Sequence, residues 1–353
     1  MNIKEIYKSA IDLLQKLIET PSFSKEEDKT AILIQNWFKK QGIKAYRSKN
    51  NIWAKNKYFD ASKPTILLNS HHDTVRPNKG YTRDPHKASI ENGKLFGLGS
   101  NDAGGCLVSL MSTFAYFYNR ENLAYNIIIA ATAEEEIAGE NGIKALLKEL
   151  PNIDFAIVGE PTEMHLAIAE KGLLVIDGIA RGKSGHAAHD NTENAIYNAL
   201  DDIQWIRQYK FPKETDALGK VKMTVSVIQA GKQHNVVPAN CSFVIDVRVN
   251  DAYSNKEVFD IIDHHTKSDM TARSFRLNSS SILRNHPIVL AGIQQGRKTY
   301  GSPTLSDQAM LSCPSLKLGP GNSLRSHQAD EFIFLDEIEN GIKIYVDILN
   351  QIL

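Results

Sequence analysis

Apolar residues in the first segment recur every three to four positions. Ile6, Ala10, Leu13, Leu14, Leu17 and Ile18 mark one face of a helix that Pro21 stops. The same spacing predicts a second helix over 26–41, closed by Gly42. Short apolar runs at 65–69, 126–131 and 154–159 then read as strands, with helical patterns over 103–118 and 142–150 between them. The runs are continuous rather than alternating. That means burial on both faces, as in an α/β layered domain whose mostly parallel sheet is flanked by helices.

The texture changes after Pro161. Residues 165–181 read as a strand pair broken near Lys171–Gly172, followed by a helix over 193–208. Alternating, half-polar strands over 220–229 and 241–249 and a helix over 255–267 follow. One-sided strands in β-α-β-β-α order predict a smaller α+β domain with helices on one face of a sheet. From His286–Pro287 the α/β pattern returns, with a helix to Thr299, a strand at 315–318 and a last helix from Leu335. The expected organisation is a catalytic domain, 1–165 plus 284–353, interrupted by an inserted domain, 166–283. The 353 residues have room for both.

Composition narrows the function classes. Hydrophobic residues make up 42% and charged residues 23%, an ordinary globular balance. Lys+Arg and Asp+Glu are both 41, so no global basic field exists to bind nucleic acid or anionic lipid. Cys106, Cys241 and Cys313 are too few and too scattered for a disulfide framework or a thiolate metal site, which suits the cytoplasm. The first residues carry acids and lack an apolar h-region, and no apolar run approaches about 18 residues. A signal peptide and a membrane span are not expected.

Candidate chemistry gathers at strand ends. His71, His72 and Asp73 follow the run TILLNS; side chains alternate, so His71 and Asp73 share a face and His72 points away. Asp73 can then hold the second ring nitrogen of His71. The alternative is an exposed histidine-rich turn. GLGSNDAGG (97–105) places Asp102 at the entry of an apolar helix, where a plain N-cap is the competing explanation. It is not a dinucleotide loop, because Asp102 replaces the third glycine and would repel a pyrophosphate. Glu134, Glu135 and Glu136 follow the run NIIIAATA, either compensated by something cationic or as a solvated helix start. Glu160 closes DFAIVGE, and His327 lies in a turn after the strand ending at Leu318. The C-terminal edge of an open α/β sheet is where such folds place their sites. Two histidines with several carboxylates and no thiolate suit two divalent ions, zinc most readily and cobalt as the alternative.

These motifs resemble the di-zinc amidohydrolases that include acetylornithine deacetylase, succinyl-diaminopimelate desuccinylase, aminoacylase and carboxypeptidase G. The likeness is carried by SHHDTV (70–75), GLGSNDAGG, TAEEEIAGENG (132–142), VGEPT (158–162), GKSGHAA (182–188), NVVP (235–238), DVR (246–248) and GPGNSLRSHQADE (319–331). It implies that His71 and Glu160 ligate one metal and Glu136 and His327 the other, with Asp102 bridging. It makes Asp73 the acid orienting His71, Glu135 the general base and Glu134 a less essential neighbour. His186 resembles a histidine that reaches the substrate carbonyl across a homodimer interface formed by the inserted domains. Asn235 and Arg248 match substrate-binding positions. Two places depart from the pattern: Ser70 stands where glycine is common, and YGSPTLSDQA (300–309) replaces a GGTSD-like pocket segment.

The implied reaction is metal-assisted amide hydrolysis of a small N-acyl amino acid. N-acetyl- or N-succinyl-ornithine or citrulline, on an arginine-forming route, is the first expectation. N-Succinyl-diaminopimelate or a dipeptide is the alternative within the same chemistry, and a metal-binding scaffold without catalysis the alternative outside it. An acid that is not a ligand, Glu135, has no use in such a scaffold.

Overall fold

Every residue of the strands Thr65–His71 and Asn126–Thr132 is buried, and two-residue periodicity explains why their middles, 66–68 and 127–131, are apolar without interruption. Ile66, Leu68, Ile127 and Ile129 face one core, packed with Leu14, Phe38, Phe114 and Tyr345. Leu67, Ile128 and Ala130 face a second, smaller one with Ile143, Leu146 and Ala156. The computed structural model describes residues 3–353, with side chains from residue 5 onward, and the chain forms two compact units. The larger takes in the chain through Ile168, then Ile282–Tyr300 and Ser306–Leu353. The smaller is Ala169–Ser281 with Gly301–Leu305, so a short stretch of the returning chain groups with it.

In the larger unit the sheet runs Ala45–Ser48, Asn51–Lys55, Asn126–Thr132, Thr65–His71, Phe155–Val158, Ser315–Lys317, then Leu166–Glu170, by which the chain leaves the unit. Thr65–His71 is parallel to both neighbours, and Ser315–Lys317 is parallel to Phe155–Val158. Four parallel strands therefore end on one edge. The helix Gly105–Phe117 is buried almost all round and packs against Ile3–Ile18 and Leu335–Leu349, as its apolar sequence requires.

Several boundaries differ from the sequence expectation. The helix expected over 142–150 is a single turn, Ile143–Leu146. The helix expected to reach Thr299 is Pro287–Gln294; Gly296 turns the chain at φ +74°, and Thr299–Ser302 is extended. The hairpin 45–55 and the three-stranded sheet of Ser89–Glu91, Lys94–Phe96 and Phe332–Phe334 were not anticipated. Their strands are three to five residues long, too short for a pattern to stand out.

The smaller unit is an antiparallel sheet in the order Lys222–Ala230, Asn240–Val249, Gly172–Arg181, Asp269–Ala272. Leu174, Ile176, Phe243, Ile245 and Val247 are buried with Ala199 and Ile206 of the helix Ala195–Gln208 and Val258 and Ile262 of Asn255–His265. The alternate residues of both central strands are half-buried, which is the one-sided pattern the sequence carries. The strand Asp269–Ala272 was missed, being four residues of unremarkable polarity.

Candidate active site

The edge where the parallel strands end carries the acids and histidines. His71 is the last residue of its strand; it and His72 are 1% and 6% exposed, which removes the exposed-turn reading. The two rings point apart, as alternation requires. His72 is held by Thr30 Oγ1 (Nδ1, 2.9 Å) and the Asn50 carbonyl (Nε2, 3.0 Å), and burial lowers its pKa to about 4. His71 Nδ1 lies 3.0 Å from the Asp73 carbonyl oxygen and 3.4 Å from the Asp73 carboxylate. The backbone thus shares with the side chain the task of holding the His71 ring.

The Asp73 carboxylate is fully buried and does a further job that its spacing from His71 did not suggest. It accepts the N–H groups of Glu135 (3.1 Å) and Glu136 (3.2 Å) and the Ser24 hydroxyl (2.7 Å). Glu134 adopts a left-handed backbone at φ +56°, is buried, and accepts from the Asn141 N–H and side-chain amide. Its own N–H is taken by the buried Glu27 carboxylate. The triplet is therefore no solvated helix start. Its last two residues open a single tight turn, Glu135–Ile137, with Glu134 standing just before it.

Asp102 does not cap the following helix, which begins at Gly105 after Gly104. It sits in an irregular turn with extended φ/ψ of −119° and 99°. Its carboxylate looks two ways: Oδ1 is 3.3 Å from His71 Nε2, and Oδ2 is 3.7 Å from His327 Nε2. His71 Nε2 is also 3.9 Å from Glu135 and 3.9 Å from Glu160. His327, at φ +60°, places Nε2 3.0 Å from Glu136 Oε2. His71, Asp102, Glu135, Glu136, Glu160 and His327 are thereby brought into one cluster.

Crowded acids distort one another's acidity. Burial, with Asp102 nearby, pushes Glu160 up to about 8, and burial holds Glu135 well above the carboxylate range. Burial disfavours a charge on His71, yet Glu135, Asp102 and Asp73 hold its pKa well above the usual imidazole value. The Glu136 hydrogen bond lifts His327 to about 9. One buried oxygen of Glu160 has no hydrogen-bond partner. An orphaned acceptor among converging carboxylates fits a divalent cation, and His71, Asp102 and Glu136 offer ligand atoms all within 4.8 Å of one another.

The remaining sequence candidates lie in the smaller unit. His186 pairs with Val236 in a two-residue ladder that sets it beside Asn235, whose carbonyl accepts from Ala187 N–H at 3.0 Å. Both side chains are exposed. Arg248 is engaged by Asp246 through Nε (2.8 Å) and Nη2 (3.0 Å), leaving Nη1 outside that pair. Besides Glu27, sequence reasoning missed two further buried acids in the larger unit, Asp307 and Glu331. Asp307 accepts from Asn69 Nδ2 (2.8 Å) and Thr132 Oγ1 (2.7 Å), beneath the ends of two parallel strands. Glu331 accepts backbone N–H groups of the loop that carries Asp102. Both stand inside quoted motifs, but nothing in their spacing distinguishes them from surface acids.

Residues 67–351 match the model of peptidase family M20/M25/M40. The chain is 28% identical to the acetylornithine deacetylase of Proteus mirabilis (strain HI4320), over 96% of this chain and 95% of that protein. It is 25% identical to succinyl-diaminopimelate desuccinylase 2 of Ruegeria sp. (strain TM1040), over 97% and 94%. The fold is shared with the M20 family metallo-carboxypeptidase Sso-CP2 of Sulfolobus solfataricus, at TM-score 0.77 and 18% identity over 97% of this chain and 98% of that one. With most of its length matched, the chain belongs to peptidase family M20/M25/M40 and is a metal-dependent amidohydrolase of that family.

Proposed function

We propose that the protein hydrolyses the amide bond of an N-acyl amino acid, and that His71, Glu160, Glu136, His327 and Asp102 would together hold two divalent ions for it. The observation that carries this reading is the two-way aim of Asp102, one carboxylate oxygen toward each histidine. Zinc is the ion the donor set fits most readily, with cobalt as a substitute. When bound, the ions polarise the scissile carbonyl and acidify the attacking water.

The rest of the chemistry belongs to the chain. Glu135 takes the proton of the attacking water and later delivers it to the leaving amine. Its turn is fixed from below by Asp73, so the carboxylate is aimed rather than mobile. His186, supplied by the partner in a homodimer of the smaller units, stabilises the developing oxyanion, with Asn235 beside it. An edge strand with exposed Val227 and Ile228 supports an interface there. Arg248 receives the substrate carboxylate, through Nη1 or by displacing Asp246.

The substrate we favour is N-acetyl- or N-succinyl-ornithine or citrulline in arginine formation, in the cytoplasm. The desuccinylase relative at 25% identity supports N-succinyl-diaminopimelate as the second reading. A panel of these compounds and dipeptides, assayed with metal-stripped and with zinc- or cobalt-reconstituted protein, separates them. Turnover of an N-acyl amino acid only after reconstitution is expected. No turnover of any panel member by the fully loaded dimer would sink the reading.

A further inference from the structure

The loop bearing Asp102 is tied down by one side chain. Glu331 is 2% exposed, and its carboxylate accepts Gly99 N–H on Oε2 (3.0 Å) and Asn101 and Asp102 N–H on Oε1 (2.8 and 2.9 Å). Its own carbonyl accepts Gly97 N–H at 3.0 Å. The loop is shaped for this grip. Gly99 stands at φ +75°, and a Cβ there would lie 2.6 Å from Thr74 Cγ2. N–H groups of one loop converging in this way form an anion-binding nest, and the protein fills it with its own carboxylate.

The grip joins the segments that carry Asp102 and His327. His327 lies four residues before Glu331, in a turn with left-handed residues at His327 and Asp330. Asp330 faces elsewhere, accepting Thr82 and Arg83 N–H at 2.9 and 3.0 Å. An uncharged acceptor would cost less to bury beside Asp102. A carboxylate supplies enough lone pairs for all three N–H groups and binds each more strongly than an amide oxygen.

We propose that Glu331 is a positioning residue for the hydrolysis, holding the Asp102 N–H so that the two carboxylate oxygens of Asp102 face His71 and His327 at once. The inference rests on the proposed two-ion site. In Glu331→Gln the amide nitrogen faces at least one loop N–H, so that bond is lost and the Asp102 turn loosens. Partners that orient ligands without touching the metal are typically worth 10–100-fold in affinity or activity.

The test is a titration of metal-free wild type, Glu331→Gln, Glu331→Asp and Asp330→Asn with Co(II), following the visible spectrum and competing with a chelator. Folding of each variant is checked by circular dichroism. Wild type is expected to bind two Co(II). Glu331→Gln should bind the pair about 10–100-fold more weakly with an altered spectrum, and lose kcat more than it changes KM. Glu331→Asp, which keeps the charge, should recover part of the affinity, and Asp330→Asn should bind like wild type. A folded Glu331→Gln with wild-type affinity and spectrum overturns the assignment, even if its melting temperature falls. So does equal weakening in Asp330→Asn, or failure of both Glu331 variants to fold. A wild type that binds no Co(II) overturns the two-ion reading and this inference together.

Discussion

Asp73→Asn is the substitution that most directly probes how the site is built. The carboxylate serves three donors: Glu135 N–H on Oδ1, and Glu136 N–H and Ser24 Oγ on Oδ2. Asparagine offers one oxygen and one NH2, so in either rotamer one backbone N–H faces a donor. The Ser24 hydroxyl can turn and accept instead, but a backbone N–H cannot. One buried donor left unmade costs about 1–3 kcal/mol, and losing charge assistance on the surviving bond adds about 1 kcal/mol. Burying a neutral amide in place of a carboxylate returns part of this. The net destabilisation expected is about 2–3 kcal/mol. His71 should keep its orientation, because the Asp73 carbonyl stays 3.0 Å from Nδ1. The damage falls on the turn carrying Glu135 and Glu136, so kcat and metal affinity should each drop about 10–100-fold. Urea unfolding of the metal-free protein, with Trp37 and Trp53 reporting on the larger unit, measures the first effect. Chelator competition and steady-state kinetics measure the second. A variant that loses stability while holding metal affinity and kcat within twofold of wild type would show that Asp73 merely braces the fold. Ser24→Ala is the control, since it removes one donor and strands no backbone group.

Three further outcomes are expected. Glu135→Gln should fold and bind metal normally while losing about 10²–10⁴ in kcat, whereas Glu134→Gln, which disturbs bonds to Asn141, should cost stability more than turnover; equal losses of kcat would blur the two roles. Stripping metal with a chelator should abolish activity and lower the melting temperature, both returning with zinc or cobalt, because an ion that binds only the folded site stabilises it; an unchanged melting temperature would speak against a site in this cluster. Mixing Glu135→Gln with His186→Ala subunits should restore about a quarter of wild-type activity, since half the dimers are mixed and each keeps one site with both residues intact; no recovery in verified mixed dimers would place His186 in its own chain's site or outside catalysis.

What was legible in the sequence followed from repetition. Uninterrupted apolar runs such as 126–131 announce a sheet covered on both faces, and the change to alternation at 220–249 announces a one-sided one. A ligand-type residue at or beyond the end of each parallel strand is likewise a positional signal, which is why His71, Glu135, Glu136, Glu160 and His327 could be singled out before any geometry was known. What stayed hidden has no period. Asp307, Glu27 and Glu331 are buried carboxylates whose partners are side-chain amides, hydroxyls or backbone N–H groups from distant segments. In sequence they look like any solvated acid, because what distinguishes them is a set of donors contributed by other parts of the chain. The same holds for the left-handed backbone at Glu134 and His327, two positions where a side chain stands in a conformation that costs about 1–3 kcal/mol unless its surroundings impose it. At Glu134 the imposition is visible. Glu27 holds its N–H from one side and Asn141 holds its carboxylate from the other, and the residue so constrained delivers Glu135 and Glu136 to the cluster. The reactive acids can be read from the chain. The acids that aim them become apparent only when the donors they satisfy are counted, and the inference about Glu331 extends that argument to Asp102.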